Sequence, residues 1–176
     1  KNVEQLDKKY IFKFIDQAFQ LSGPKIVTLT GGEPLIRRDI FDIIRYIRLK
    51  KGYPKILTNG LLLTPKTIDK LVESGIDSVS ISINSINQKI HDWSRGVNGN
   101  LEKIFEEVQY IKKNHPELKI DFCVILFKQN LDQIIPIIEY ANEVGAGINF
   151  QPLQPIILEN KHPDSKMEAK RNFQDI

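Results

Sequence analysis

The segment from Thr28 to Ile40 reads TLTGGEPLIRRDI, and its centre, Gly31-Gly32-Glu33-Pro34, sets two glycines, a carboxylate and a proline side by side. Glycine lets main-chain groups approach a ligand closely, because no Cβ stands in the way. A glycine-rich turn ahead of a helix ordinarily points to phosphate, held by N–H groups and the helix dipole. Here Glu33 would repel a phosphate, and Pro34 lacks one of the donors it needs. Backbone carbonyls beside a carboxylate suit a cation instead, such as an ammonium group. The alternative is a strand-to-helix turn with sterically required glycines and a solvated glutamate, and the tetrapeptide alone does not decide between them.

Other residues with chemical capacity lie further along. Ser82 and Asn84 stand two apart on a β-branched run, so they share one face of a strand. With Ser85 they could hydrogen-bond vicinal hydroxyls such as those of a ribose, although Ser and Asn also end strands routinely. Arg95, in His91–Gly96 (HDWSRG), could grip a carboxylate through two parallel N–H donors, or form an ordinary surface salt bridge. Trp93 is expected to pack under the loop that carries Arg95. His91, His115 and His162 have no metal-ligand spacing, and Cys123 sits in an apolar run where burial is the ordinary expectation.

What must position these residues is an alternation of strands and helices. Apolar residues recur at helical spacing from Tyr10 to Phe19, ending at Ser22-Gly23-Pro24, and again from Ile40 to Ile47, with Asp39 as the expected N-cap. Thr64-Pro65 opens a third helix that stops at Gly75, Leu101–Ile111 predicts a fourth, and Ile134–Val144 a fifth closed by Gly145. Pro136 must lie in that helix's first turn. Short β-branched runs at Lys25–Thr30, Lys55–Gly60, Ser78–Ile83, Lys119–Phe127 and Gly147–Gln151 predict five strands. Continuous apolar strands spaced by roughly 25 to 40 residues imply a parallel sheet covered by helices. Ligands of such folds bind beyond the carboxyl ends of the strands. Those ends are Gly31–Pro34, Thr58-Asn59-Gly60, Ser82–Ser85, Phe127-Lys128-Gln129 and Gln151-Pro152, so polar and glycine residues gather on one rim.

Composition limits the remaining possibilities. The 176 residues suffice for one domain with a real core, and 41% hydrophobic against 27% charged residues is the balance of a globular protein. The 25 basic and 22 acidic residues are interspersed, leaving a net charge of +3 and no nucleic-acid footprint. No apolar run approaches the roughly 20 residues of a membrane helix. A single cysteine excludes an internal disulfide, fits a reducing cytoplasm, and cannot by itself hold a metal cluster. The chain begins at Lys1 without a signal region and is expected to be a segment of something longer.

An ammonium site, a hydroxyl site and a carboxylate-binding arginine together describe a zwitterionic amino acid joined to a nucleoside. In this the sequence resembles the radical S-adenosylmethionine (SAM) superfamily. TLTGGEPL is similar to its GGEP motif, LTNG to the segment after the next strand, SVSISINS…HDWSRG to the ribose-contacting strand and arginine loop, and VILFKQNLDQI and INFQPL to the last two strands. The resemblance runs from Tyr10 to Pro155. It implies an α/β fold: a partial (β/α)6 TIM-like barrel whose strands two to six lie within 1–155, with 156–176 as a charged tail or linker. It further implies that Gly31, Gly32 and Glu33, followed by Pro34, hold the methionine ammonium and Arg95 its carboxylate. Ser82 and Asn84 would meet the ribose, Thr58 and Asn59 would border the same site, and Gln151, Pro152 and Leu153 would line the adenine.

The activity so implied is reductive cleavage of SAM at a [4Fe–4S] cluster. The product is a 5′-deoxyadenosyl radical that abstracts hydrogen from a substrate, a peptide or cofactor precursor, with electrons from an external donor. Two departures stand out. The three-cysteine CxxxCxxC loop is missing and is expected upstream of Lys1, together with the first strand, unless this is a degenerate member without a cluster. Asn84 also stands where relatives often carry aspartate. The residues identify no catalytic side chain and no metal ligand. The rival expectation is a SAM-binding or scaffolding domain without catalysis. A phosphate-binding TIM-type lyase or isomerase fits less well, because Gly145 and Gly147 flank the wrong end of the last strand.

Overall fold

The computed structural model describes residues 5–153; the stretch 156–176, expected as a tail or linker, lies outside the described residues. Five strands, β1 (Ile26–Leu29), β2 (Tyr53–Thr58), β3 (Ser78–Ser82), β4 (Lys119–Leu126) and β5 (Gly147–Pro152), stand side by side in chain order, and every pairing is parallel. The sheet curls into a half-barrel. Helix α1 (Lys8–Ser22) precedes it, α2 (Ile40–Leu49) and α3 (Pro65–Glu73) make the first two crossovers, α4 (Gln88–Arg95) and α5 (Asn100–Asn114) share the third, and α6 (Ile134–Val144) makes the last. Parallel neighbours require such crossovers, so every strand points the same way and every exit loop falls on one rim.

One face of the sheet is the core. Ile56, Val79, Ile81, Phe122 and Val124 are buried beneath Ile40 and Ile44 of α2, Ile68 and Leu71 of α3, Ile104 and Val108 of α5, and Ile137 of α6. Burying each aliphatic side chain contributes about 1.5–3 kcal/mol, which holds the helices against the sheet. A smaller cluster of Ile15, Ile43 and Ile47 seats α1 on α2. The opposite, concave face is polar. Lys55 stands opposite Ser78, Ser80 opposite Asp121, and Ser82 opposite Cys123. Lys55 Nζ reaches Asp121 Oδ2 at 2.6 Å, spanning the intervening β3. Gly147 leaves room for that carboxylate, since an added Cβ would come within 2.3 Å of Asp121 Oδ1.

Four expectations change. HDWSRG is not a loop: it belongs to α4, which Asn87 opens by accepting the Lys89 and Ile90 N–H groups on its side-chain oxygen. The helix was hidden because its buried residues are His91 and Asp92 rather than aliphatic ones. Trp93 consequently points outward, 60% exposed, with one edge tilted against Phe127 at 5.8 Å. Asp39 occupies the N-cap position of α2, but its carboxylate pairs with Arg37 at 2.6 Å instead of capping. Cys123 is only half-buried, because the β4 residues that alternate with Phe122 and Val124 face the concave side.

Thr64, by contrast, caps α3 as expected, accepting from the Thr67 N–H, and Pro136 falls in the first turn of α6. At the exit of β2, Gly60 has φ +84°, and a Cβ there would lie 2.7 Å from Ile104 Cγ1. Replacement Gly60→Ala therefore combines left-handed strain with overpacking and should cost about 2–4 kcal/mol, read as an earlier urea midpoint. A midpoint within experimental scatter of the parent's would contradict this account of the turn.

Candidate functional site

Glu33 organises the first exit loop. Its Oε1 accepts the Thr58 hydroxyl at 2.8 Å and the Leu35 N–H at 3.1 Å, and its Oε2 accepts the Asn59 N–H at 2.8 Å. One carboxylate thus ties the β1 exit to the β2 exit, 25 and 26 residues away. A carboxylate offers about four lone-pair positions, so Oε2 keeps one for a further donor. The glutamate is half-buried and not simply solvated. Gly31 adopts φ +148°, which disfavours any side chain, while neither Gly31 nor Gly32 has protein within 4 Å of a would-be Cβ. The space over these two glycines is open to a ligand. Pro34 is buried and starts the short 3-10 turn Pro34–Ile36 beneath them.

The exit of β3 is fixed by a different set of side chains. Asn84, 3% exposed, accepts the Ile125 N–H of β4 on its Oδ1 at 3.1 Å and donates from Nδ2 to Ser94 Oγ at 3.1 Å. Its own N–H donates to His91 Nδ1 at 3.2 Å, and its carbonyl accepts from Asn130 Nδ2 at 2.7 Å. Asn130 is fully buried, donates also to the Ile125 carbonyl, and accepts the Phe127 N–H. Most of the hydrogen-bonding capacity of Asn84 is therefore engaged inside the chain. Ser85 is fully buried, donating to Gln133 and accepting the Asn87 N–H, and so does not join Ser82 at the rim. Ser82 remains the half-exposed hydroxyl on the concave face.

Arg95 ends α4 half-buried, and among the described residues it has no ion-pair or hydrogen-bond partner. Burial pulls its guanidinium down from its ordinary pKa, and the Glu33 carboxylate opposes that shift. It lines a cavity of about 150 Å³ with Asn59, Leu61, Ser94, Val97 and Asn100. Asn100 holds that wall by donating to the Asn59 carbonyl at 3.0 Å, and Asn59 folds its own side chain back to the Leu61 N–H. Glu33, Thr58, Asn59 and Arg95 thus converge. Gln151, Pro152 and Leu153 do not border this cavity; they sit two strands further along, Gln151 opposite Ile125 and Leu153 bonded to the Leu126 carbonyl. A larger groove of about 740 Å³ lies outside, between α1, α2 and α3, away from every strand exit.

His91, His115 and Asp92 have other roles. His115 pairs with Asp69 at 2.7 Å on the helical side, and Asp92 accepts the Gly99 N–H at 2.7 Å. Cys123 carries a thiol whose pKa burial pushes up, and no group of three His, Cys, Asp or Glu among the described residues could hold a metal. Asn100, Asn130 and the buried acceptor His91 were not singled out as site-builders in the sequence. Their partners stand in other elements, and only Asn130, three residues after the β4 exit, leaves the trace of a capping turn.

The family described as the Radical SAM superfamily matches residues 1–141. An AdoMet-dependent heme synthase of Methanosarcina barkeri is 38% identical over 134 residues, covering 76% of this chain and 37% of its own. A GTP 3′,8-cyclase of Staphylococcus carnosus is 30% identical over 150 residues, covering 84% and 44%. The chain thus spans less than half the length of these curated relatives. Among solved structures, Streptococcus suis SuiB bound to S-adenosylmethionine superposes with a TM-score of 0.73 at 19% identity, over 96% of this chain and 40% of SuiB. SuiB bound to its precursor peptide SuiA gives 0.73 at 19%, over 88% and 34%. These superpositions establish the fold: a TIM-barrel-like sheet of parallel strands.

The clamp made by Glu33 yields one prediction. In Glu33→Gln an amide NH2 must face an N–H or hydroxyl that now donates to oxygen, whichever way the amide turns. Stability should fall by about 1–3 kcal/mol, measured by chemical denaturation, and an unchanged midpoint would remove the clamp. His91 yields another. Burial lowers its pKa from 6.5 to about 4, with Arg95 acting in the same direction and Asp92 against it. The native state then binds fewer protons than the unfolded chain. Stability should be full above pH 6.5 and decline as pH falls towards 4, by about 3 kcal/mol in all from this residue. Urea midpoints of the parent and of His91→Asn across that range test it, the variant showing the shallower decline.

Proposed function

Because the chain belongs to the radical SAM superfamily, we propose that it forms the S-adenosylmethionine pocket of an enzyme that cleaves this cofactor reductively and abstracts hydrogen from a substrate. The observation that carries the reading is Arg95: a half-buried guanidinium, unpaired among the described residues, in the cavity that Asn59 shares and Glu33 adjoins. Burying a cation without a partner is unfavourable unless a ligand supplies the anion. A methionine carboxylate meets that need through the planar fork of arginine.

The rest of the rim fits the same molecule. The remaining lone pair of Glu33 and the open space over Gly31 and Gly32 receive the ammonium. Pro34 and Thr58 hold the glutamate in place, and Asn59 presents the wall beside it. Ser82 bonds a ribose hydroxyl; Asn84 retains one amide hydrogen for the neighbouring hydroxyl while it anchors the strand exit. Gln151, Pro152 and Leu153 border the adenine at the far side of the concave face. When bound and reduced at a [4Fe–4S] cluster, S-adenosylmethionine supplies the hydrogen-abstracting chemistry. The cluster's ligands lie outside residues 5–153, and an external donor supplies the electron.

The concave face is where the substrate meets this chemistry, shielded from bulk water. Relatives that act on GTP or make heme, and a structural neighbour that holds a precursor peptide, support a cofactor precursor or a peptide as substrate. No helix among the described residues is long and apolar enough to cross a membrane; a cytoplasmic setting is part of the proposal. In the full-length protein, Arg95→Lys keeps the charge and loses the fork. Its affinity for S-adenosylmethionine, measured by calorimetry, should drop about tenfold with the melting temperature unchanged. Undiminished affinity would take Arg95 out of the site.

A further inference from the structure

Arg95 binds well only if α4 presents it at one place, and α4 is poorly equipped to hold itself there. It has eight residues and buries His91 and Asp92 where other helices bury aliphatic side chains. His91 stands four residues before Arg95, on the same helical face. It is fully buried, and its Nδ1 accepts the backbone N–H of Asn84 at 3.2 Å. An accepting Nδ1 places the proton on Nε2, and that N–H has no partner among the described residues. Leucine would fill the space without the unpaired Nε2–H but would leave the buried Asn84 N–H without an acceptor, so packing alone gives no reason for histidine. What histidine adds is the acceptor at Nδ1.

That acceptor joins the two parts of the site. Asn84 follows Ser82, and its side chain also donates to Ser94 Oγ, while the Ser94 hydroxyl donates to the His91 carbonyl. The exit of β3 and the last turn of α4 are thereby linked through His91 and Ser94. We propose that His91, as a neutral buried imidazole, is the positioning residue that sets Arg95 for the carboxylate of S-adenosylmethionine by locking α4 to the backbone of Asn84. This rests on the reading of Arg95 given above. Neutrality is part of the role, because an imidazolium would lose the acceptor and would repel Arg95 and compete for the same carboxylate.

The test is a double-mutant cycle in the full-length protein, with affinity for S-adenosylmethionine read by calorimetry and folding by thermal melting. Arg95→Met should weaken binding about tenfold or more. His91→Leu should weaken it about tenfold, because a helix displaced by about an ångström misaligns a bidentate contact. His91→Asn keeps an oxygen acceptor near the position of Nδ1 and should recover most of the affinity. In the Arg95→Met background His91→Leu should cause no further loss, since its effect passes through the missing guanidinium. If Arg95→Met itself leaves affinity intact, the parent reading fails. If Arg95→Met weakens binding but His91→Leu does not, or weakens it equally in both backgrounds, the positioning role fails. Should His91→Leu show no cooperative melting transition, Ser94→Ala takes its place in the cycle. That variant removes the second link and should cause a loss of a few-fold that likewise vanishes without Arg95.

Discussion

A parallel strand that ends against neighbouring elements leaves peptide groups without ladder partners, and buried peptide groups must be satisfied. The rim of this half-barrel follows from that constraint. Glu33 takes the N–H groups of Leu35 and Asn59, Asn84 takes that of Ile125, Asn130 takes that of Phe127, and Asn100 donates to the Asn59 carbonyl. The bonds to Leu35 and Phe127 close their own exit turns, and the other three cross from one exit to another element. Neighbouring strand ends are thus tied together, and the groups left free among them, one lone pair of Glu33, the Ser82 hydroxyl and the Arg95 guanidinium, are those proposed above to meet the ligand. On that reading the same few side chains serve structure and binding.

That dual use explains what could be read from the sequence. The five strands and five of the helices were legible because their apolar residues recur with the periods of buried structure, and the parallel order followed from the crossovers. Helix α4 was not, since its buried side is a histidine and an aspartate. The chemistry of Glu33 was legible in its type and setting, but its clamp was not, because the hydroxyl and the Asn59 N–H it receives stand 25 and 26 residues away in the chain, at the exit of the next strand. Arg95 was named from its residue type as a carboxylate partner or a surface salt bridge, the resemblance supplied the methionine carboxylate, and its loop was misread; its part-burial beside Asn59 is encoded by no local pattern. Asn130 and His91 escaped notice for the same reason: their value lies in contacts to backbone groups of other elements.

Ordinary TIM barrels fill their interior with bulky branched side chains. The concave face here carries Lys55, Ser78, Ser80, Ser82, Asp121 and Cys123 on three adjacent strands. Small polar residues on the central strand keep this face low: Ser78 and Ser80 are buried beneath their neighbours and only Ser82, nearest the rim, is part-exposed.

The pair of Lys55 and Asp121 has a mechanical side as well. It joins β2 to β4 over the top of β3, as a string joins the two limbs of a bow. The pair closes over the middle strand and adds a side-chain tie to the backbone ladders that set the bend of the sheet. Serine at positions 78 and 80 keeps the path under the string clear, and glycine at 147 seats its acidic end. A bulkier side chain at 147 would meet the Asp121 carboxylate first, and one at 78 or 80 would have to enter buried space, so the seat of this tie depends on residues that lie away from the rim.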